Sequence, residues 1–101
     1  DSERDLQQEM LEQITLFCEG KRLQLTKFPH PSKNSEQDYL TETNHIEIEG
    51  AFIPMLELIN RFEKQFQLGT VVSVDFQSSM ELRTKRKKLY ATIYVQNIQK
   101  V

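Results

Sequence analysis

Few residues of this chain have the types and spacing that catalysis or metal binding requires. Its two histidines occur in different settings: His30 lies between two prolines, and His45 lies on the polar side of an alternating segment. Neither has a cysteine, aspartate or glutamate at metal-motif spacing. The single cysteine, Cys18, excludes an internal disulfide and argues against a thiolate zinc site. We interpret both histidines as surface side chains and Cys18 as a small buried hydrophobic residue.

Glu47 and Glu49 are the carboxylates whose spacing comes nearest to that of an acid–base pair. They lie two residues apart in an alternating segment, so they share one strand face. Acid–base catalysis needs a shielded site that shifts a pKa, whereas this face is expected to be solvated. None of the 3 glycines belongs to a phosphate-binding loop. The sequence therefore predicts a protein that is not an enzyme and that binds no metal or cofactor.

A cluster of positive charge near the C-terminus has two interpretations. Five basic residues fall within six positions: Arg83, Lys85, Arg86, Lys87 and Lys88. They could contact phosphates of nucleic acid or of lipid headgroups. They could equally form a solvated hairpin tip that discourages edge-to-edge aggregation. The net charge of −2 favours the second interpretation, and nucleic-acid binding remains the alternative function.

The residues named above belong to two similar predicted units, each consisting of a helix followed by two strands. Each has a helix with an apolar stripe that ends at a glycine, Gly20 or Gly69, and an alternating strand follows at once. The spacing predicts helices over 5–18 and about 51–68, and strands over 21–28, 39–49, 71–82 and 88–98. The polar segment 29–38 carries two prolines and is predicted to be a mobile loop. The stripe predicted for the second helix comprises Phe52, Met55, Leu56, Ile59, Phe62 and Phe66.

The order αββαββ predicts an α+β fold of the ferredoxin-like sandwich class, a four-stranded antiparallel sheet with two helices on one face. The length of 101 residues predicts a single domain, 1–101. No apolar run approaches the roughly 20 residues needed to span a bilayer. Because the chain begins at Asp1 rather than at methionine, we expect a mature form or a fragment of a longer protein.

Four residues are predicted to bind a protein partner. Tyr90 and Tyr94 share one face of the last strand, and tyrosine combines a large apolar area with a polar tip that suits interfaces. The alternative is that both tyrosines simply fit a pleated strand. Leu11 and Leu16 fall outside the main apolar stripe of the first helix, so they leave apolar surface available for a contact.

The stretch from His45 to Phe62 resembles the core of PilO-type proteins, which are inner-membrane assembly proteins of type IV pili. The shared pattern is an alternating strand, then glycine-x-aromatic, then a helix with apolar residues three and four apart, then further strands. The matching positions are Gly50, Phe52, Leu56, Ile59, Val72, Val74, Tyr90 and Tyr94. The chain is also similar to the GspM proteins of type II secretion.

This resemblance implies a non-catalytic assembly or scaffold domain on the periplasmic face of the bacterial inner membrane. It implies a membrane anchor that lies outside this chain. It further implies association with a second copy, as a homodimer, or with a PilN-like sister subunit. A third class, a small regulatory domain with a ligand in the crevice between helices and sheet, has no distinctive pattern here.

Overall fold

A computed structural model describes residues 2–66 and 68–100, with side chains from Leu6 onward. The elements in chain order are α1 (Ser2–Cys18), β1 (Leu23–Lys27), β2 (Ser32–Glu36), β3 (Tyr39–Gly50), α2 (Phe52–Arg61), β4 (Thr70–Glu81) and β5 (Arg86–Lys100). A π-helical turn, Phe62–Phe66, continues α2. The predicted αββαββ order is therefore present, with one additional strand, β2.

The strands form one antiparallel sheet in the order β1-β3-β5-β4. The central strand β3 pairs with β5 along almost its whole length, with Ile46 opposite Ile93 and Ile48 opposite Ala91. On its other side β3 pairs with β2 through its first half and with β1 through its second half. The four predicted strands thus follow one path, and β2 lies beside it.

Both helices pack on the same face of this sheet. The alternation in β3 and β5 buries every second side chain, which is the pattern of a strand covered on one face. One core cluster joins the two helices to this face; its largest contributions come from Met10, Ile14, Phe17, Met55, Leu58, Phe62, Ile46, Ile48, Ile93 and Val95. Each such side chain stabilises the fold by roughly 1.5–3 kcal/mol. The predicted ferredoxin-like sandwich is confirmed.

Two glycines define where elements end. Gly20 has φ +70°, the left-handed conformation that ends helices, and the Lys21 N–H donates to the Cys18 carbonyl at 3.1 Å. Gly50 has φ +153° and lies against β1, where an added Cβ would stand 2.1 Å from the carbonyl oxygen of Arg22. The glycine end predicted for the first helix is confirmed, and Gly50 permits the close approach of β3 to β1.

The predicted mobile loop over 29–38 is wrong in part, because it contains β2. Residues Ser32–Glu36 pair with β3 from Thr43 to Tyr39, and Gln37 turns the chain with φ +53°. All five side chains of β2 are exposed. Backbone hydrogen bonds to β3 therefore hold this strand in place. Its sequence has no alternation of apolar and polar residues, so the strand could not be predicted from hydrophobic periodicity.

The structure differs from three smaller predictions as well. The hairpin between β4 and β5 is longer than expected: its turn is 82–85, and Arg86 and Lys87 belong to β5. Cys18 is half-buried rather than fully buried. In the stripe of α2, Phe52 is 47% exposed and Leu56 is 41% exposed, so neither is a core residue.

Candidate interaction surfaces

The residues that could do chemistry are dispersed. Among the described residues, no group of three histidine, cysteine, aspartate or glutamate side chains could hold a metal ion. His30 is exposed, and His45 lies edge-on to Tyr94 with 4.9 Å between ring centroids. Burial raises the pKa of the Cys18 thiol, which disfavours the nucleophilic thiolate.

Tyr90 and Tyr94 lie on the sheet face that the helices leave uncovered, as predicted from their alternation with buried residues. Tyr90 is opposite Glu49 on β3 and Gln77 on β4, and Tyr94 is opposite His45 and Ser73. Both rings are half-buried by these neighbours. The uncovered face thus carries two aromatic rings in a polar setting.

Tyr94 has an acidic neighbour on the same face. Partial desolvation, followed in importance by a hydrogen bond to Asp75, raises the pKa of the Tyr94 phenol above its usual value of 10.0. A neutral phenol donates to the carboxylate, whereas a phenolate would be repelled by it. The phenol of Tyr94 therefore donates a hydrogen bond to Asp75, and its ring contacts the His45 ring.

The basic cluster divides into two parts. Lys88 joins the uncovered face, where its Nζ lies 3.0 Å from Glu81 Oε2 and 3.7 Å from Glu49 Oε1. The hydrogen bond to Glu81 and the charge of Glu49 raise the pKa of Lys88. Four members of the cluster remain exposed at the end of the hairpin: Arg83, Lys85, Arg86 and Lys87. Lys88 therefore belongs structurally with the carboxylates rather than with the exposed tip.

Leu11 and Leu16 are exposed, at 41% and 65%, but they lie in different places. Leu11 lines an open groove of about 570 Å³ between α1 and the segment after β1, with Phe28 and Pro29. Leu16 borders a smaller depression of about 220 Å³ with Phe17 and Arg61. Because α1 covers the face opposite the tyrosines, the four predicted partner-binding residues do not form one surface.

Further exposed apolar side chains, which the sequence did not predict, occur in β4 and at the start of α2. Those at least 40% exposed are Phe52, Ile53, Leu56, Val72, Phe76 and Met80. Phe52 and Phe76 touch, with ring centroids 5.5 Å apart. The signal available in the sequence was the width of the α2 stripe, which exceeds what one buried face can cover. The position of β4 at the edge of the sheet depends on strand order, which no local sequence pattern predicts.

No family model matches this sequence, and no curated protein is recognisably similar to it. In the described parts of the chain, no helix has the length and apolar character that crossing a bilayer demands. Among solved structures, the chain is similar to the type 4 fimbrial biogenesis protein PilO from Pseudomonas aeruginosa, with a TM-score of 0.71 and 16% identity. The similarity covers 90% of this chain and 66% of the PilO chain. In its fold, this chain is a PilO-like domain.

Proposed function

We propose that this chain is a non-catalytic assembly domain of an inner-membrane complex that builds type IV pili or a related type II secretion apparatus. One observation carries the proposal: 90% of the chain superposes on a fimbrial biogenesis protein, with a TM-score of 0.71. The domain acts by association with a second copy or with a PilN-like sister subunit, and no chemical step is involved. It lies on the periplasmic side, held by an anchor outside this chain.

The surfaces of the domain support this role. Two tyrosines lie on an uncovered sheet face, and several large apolar side chains are exposed on the helices and on β4. Aromatic side chains are enriched at protein interfaces, where a ring supplies apolar area and the hydroxyl keeps a polar contact. Tyr90, Tyr94, Leu11 and Leu16 are the residues proposed to contact partners.

Membrane fractionation of the full-length parent protein tests the proposed location. We expect the protein to remain in the membrane fraction after alkaline carbonate extraction, because an anchor resists conditions that strip peripheral proteins. A wild-type soluble periplasmic protein of the same cells serves as the control for release. Recovery of the parent protein in the soluble cytosolic fraction would contradict the proposal.

Alanine substitution at both Tyr90 and Tyr94 tests the uncovered sheet face. We expect co-purification of the tagged parent protein with its inner-membrane partners to weaken by roughly tenfold, since aromatic interface residues often contribute a kcal/mol or more each. Thr92→Ala is the matched control, because Thr92 lies between the two tyrosines on the same face. If the double variant leaves both partner binding and self-association unaltered, the tyrosine face is not the interface.

A second candidate, nucleic-acid binding by the hairpin tip, is favoured by the exposure of Arg83, Lys85, Arg86 and Lys87. It requires binding to a fluorescent oligonucleotide that weakens steeply with salt, because phosphate contacts release counterions. Neutralising Lys85 and Lys87 with glutamine would then weaken that binding further. We expect no binding of the oligonucleotide even at low ionic strength. Binding that is detected there and weakens as salt is added would favour this candidate over the assembly role.

A further inference from the structure

Strand β4 forms an unprotected edge of the sheet. Among the described residues it pairs only with β5, so every second residue directs its N–H and C=O away from the sheet. The strand is 12 residues long, and its sequence contains no lysine, arginine or proline. Its one irregularity is a bulge between Val71 and Ser73, which leaves the stretch from Ser73 to Glu81 in regular register. Long regular edges of this kind are templates for another strand.

We propose that β4 pairs with β4 of a second copy of this chain, antiparallel across a two-fold axis perpendicular to the sheet. This deepens the proposed assembly function, on which it rests, by naming the partner and the edge. Such an axis continues the sheet from one protomer into the other and keeps the helices of both on one side. The contact is isologous, so every pair of two different residues occurs twice, and a residue on the axis lies opposite its own copy.

The side chains of β4 favour one register, in which Phe76 lies opposite Phe76 of the second copy. In this register Asp75 faces Gln77, Val74 faces Ser78, and Ser73 faces Ser79, all within the part free of the bulge. Aromatic pairs directly across a strand pair stabilise it, and no like charges are opposed. The strand is thus self-complementary at its aromatic position, Phe76, and at the charged position, Asp75.

The registers centred on Asp75, Gln77 and Ser78 are less favourable, two of them because like charges oppose each other and one because it separates the aromatic rings. Centring the pair on Asp75 places two carboxylates directly opposite each other, and centring it on Ser78 places Asp75 opposite Glu81. Like charges at such positions destabilise a strand pair. Centring on Gln77 avoids the repulsion but sets Phe76 against Ser78, which leaves the aromatic ring without an apolar partner.

The surface beside β4 extends the contact beyond the backbone. Phe52 touches Phe76, and Leu56 lies one helical turn further along the same side of α2. Two-fold symmetry therefore brings four phenylalanine rings together at the centre of the contact. A stable dimer buries about 800 Å² per partner, which is about a tenth of the 7154 Å² surface of this chain. The strand edge together with the exposed side of α2 is the region able to supply that area.

Charge substitutions at Gln77, measured by sedimentation equilibrium on this domain, test the register. Gln77 is exposed, so a charged residue there is compatible with folding of the monomer. Gln77→Asp opposes Asp75 of the other copy at two symmetric positions, and we expect the dimer Kd to rise at least about threefold. Gln77→Lys places a lysine opposite each Asp75, and we expect the Kd to fall at least about twofold. Gln99→Asp is the control, since this exposed glutamine lies on β5, away from the β4 edge.

The outcomes separate this inference from the proposed function. Equal effects of both Gln77 substitutions, or an effect of Gln99→Asp as large as that of Gln77→Asp, overturn the edge pairing. Self-association that is lost in the variant with alanine at Tyr90 and Tyr94 but unchanged in both Gln77 variants also overturns it, while the assembly function stands. A wild-type domain that stays monomeric at millimolar concentration overturns it as well. Release of the parent protein by carbonate would contradict the proposed function but would leave the edge pairing unaffected.

Discussion

The two edges of the sheet differ in strand length and in basic residues, two features that control whether an edge pairs with another strand. On one side, β1 has 5 residues, includes Lys27, and carries a bulge between Leu25 and Lys27. The neighbouring β2 also has 5 residues and includes Lys33. On the other side, β4 has 12 residues and its sequence has no basic residue. Short length, a bulge and lysine are the devices by which proteins block edge-to-edge pairing, and only the first edge has all of them.

The domain is therefore not uniformly protected against association. The edge formed by β1 and β2 is closed by charge and irregularity, whereas the β4 edge exposes Phe76 and Met80 beside a regular backbone. The carboxylate of Asp75 does not block pairing there; it restricts the pairing to registers that keep it away from another carboxylate. An edge that favours one register over its neighbours is suited to a specific contact.

The largest expected effect comes from disturbing the protected edge with Gly50→Ala. The new Cβ would stand 2.1 Å from the Arg22 carbonyl oxygen, and φ is +153°, so β1 must separate from the end of β3. We expect the free energy of unfolding to fall by about 2–4 kcal/mol in urea denaturation. Gly20→Ala is the control: it has φ +70° but nothing within 4 Å of the new Cβ, and it should cost only about 1 kcal/mol. Equal losses for both variants would show that the contact with Arg22 is unimportant.

A smaller effect is expected from protecting the open edge with Met80→Lys. Met80 is 55% exposed, so the free energy of unfolding should change by less than about 0.5 kcal/mol. The lysine adds the charge that the edge lacks, and we expect self-association to weaken roughly tenfold in sedimentation equilibrium. Leu16→Lys makes a comparable change at a residue of α1 that is 65% exposed. A loss of self-association in the Leu16 variant but not in the Met80 variant would transfer the interface to α1.

The smallest effect concerns pH and the uncovered face between the two edges. Because the folded state raises the pKa of Tyr94, it holds the phenolic proton more tightly than the unfolded chain does. The stabilisation is fully present below the usual pKa of 10.0 and is lost as pH rises through the higher folded value. Asp75→Asn should lower the pKa of Tyr94 while desolvation remains, shifting the phenolate absorbance to lower pH. An unchanged titration in this variant would exclude a role for Asp75.

Most regular elements of this fold could be predicted from the chain because they depend on local periodicity. The stripe of Met10, Ile14 and Phe17 specifies α1, and Leu89, Ala91, Ile93 and Val95 specify the buried side of β5. Strand β2 could not be predicted in this way. Its side chains are all exposed, and its order comes from backbone pairing with β3.

The candidate surfaces were predictable only in part. The position of Tyr90 and Tyr94 on one strand face follows from a period of two residues, and the structure places them there. Their separation from Leu11 and Leu16 depends on which face of the sheet the helices cover. The exposure of Phe52 and Leu56 likewise depends on strand order, because β4 is the last strand on that side of the described sheet and no further strand lies beyond it.

The amino-acid sequence alone was enough to predict both helices, the four strands other than β2 and the αββαββ class, because each depends on contacts between residues close together in the chain. It also indicated a PilO-type core from the residues around Gly50 and Phe52. The three-dimensional fold was needed to show that β4 is an edge, that Lys88 pairs with Glu81 and Glu49, and that the apolar stripe of α2 is divided between core and surface. These features depend on which distant strands become neighbours, and strand order is set by the packing of the whole chain.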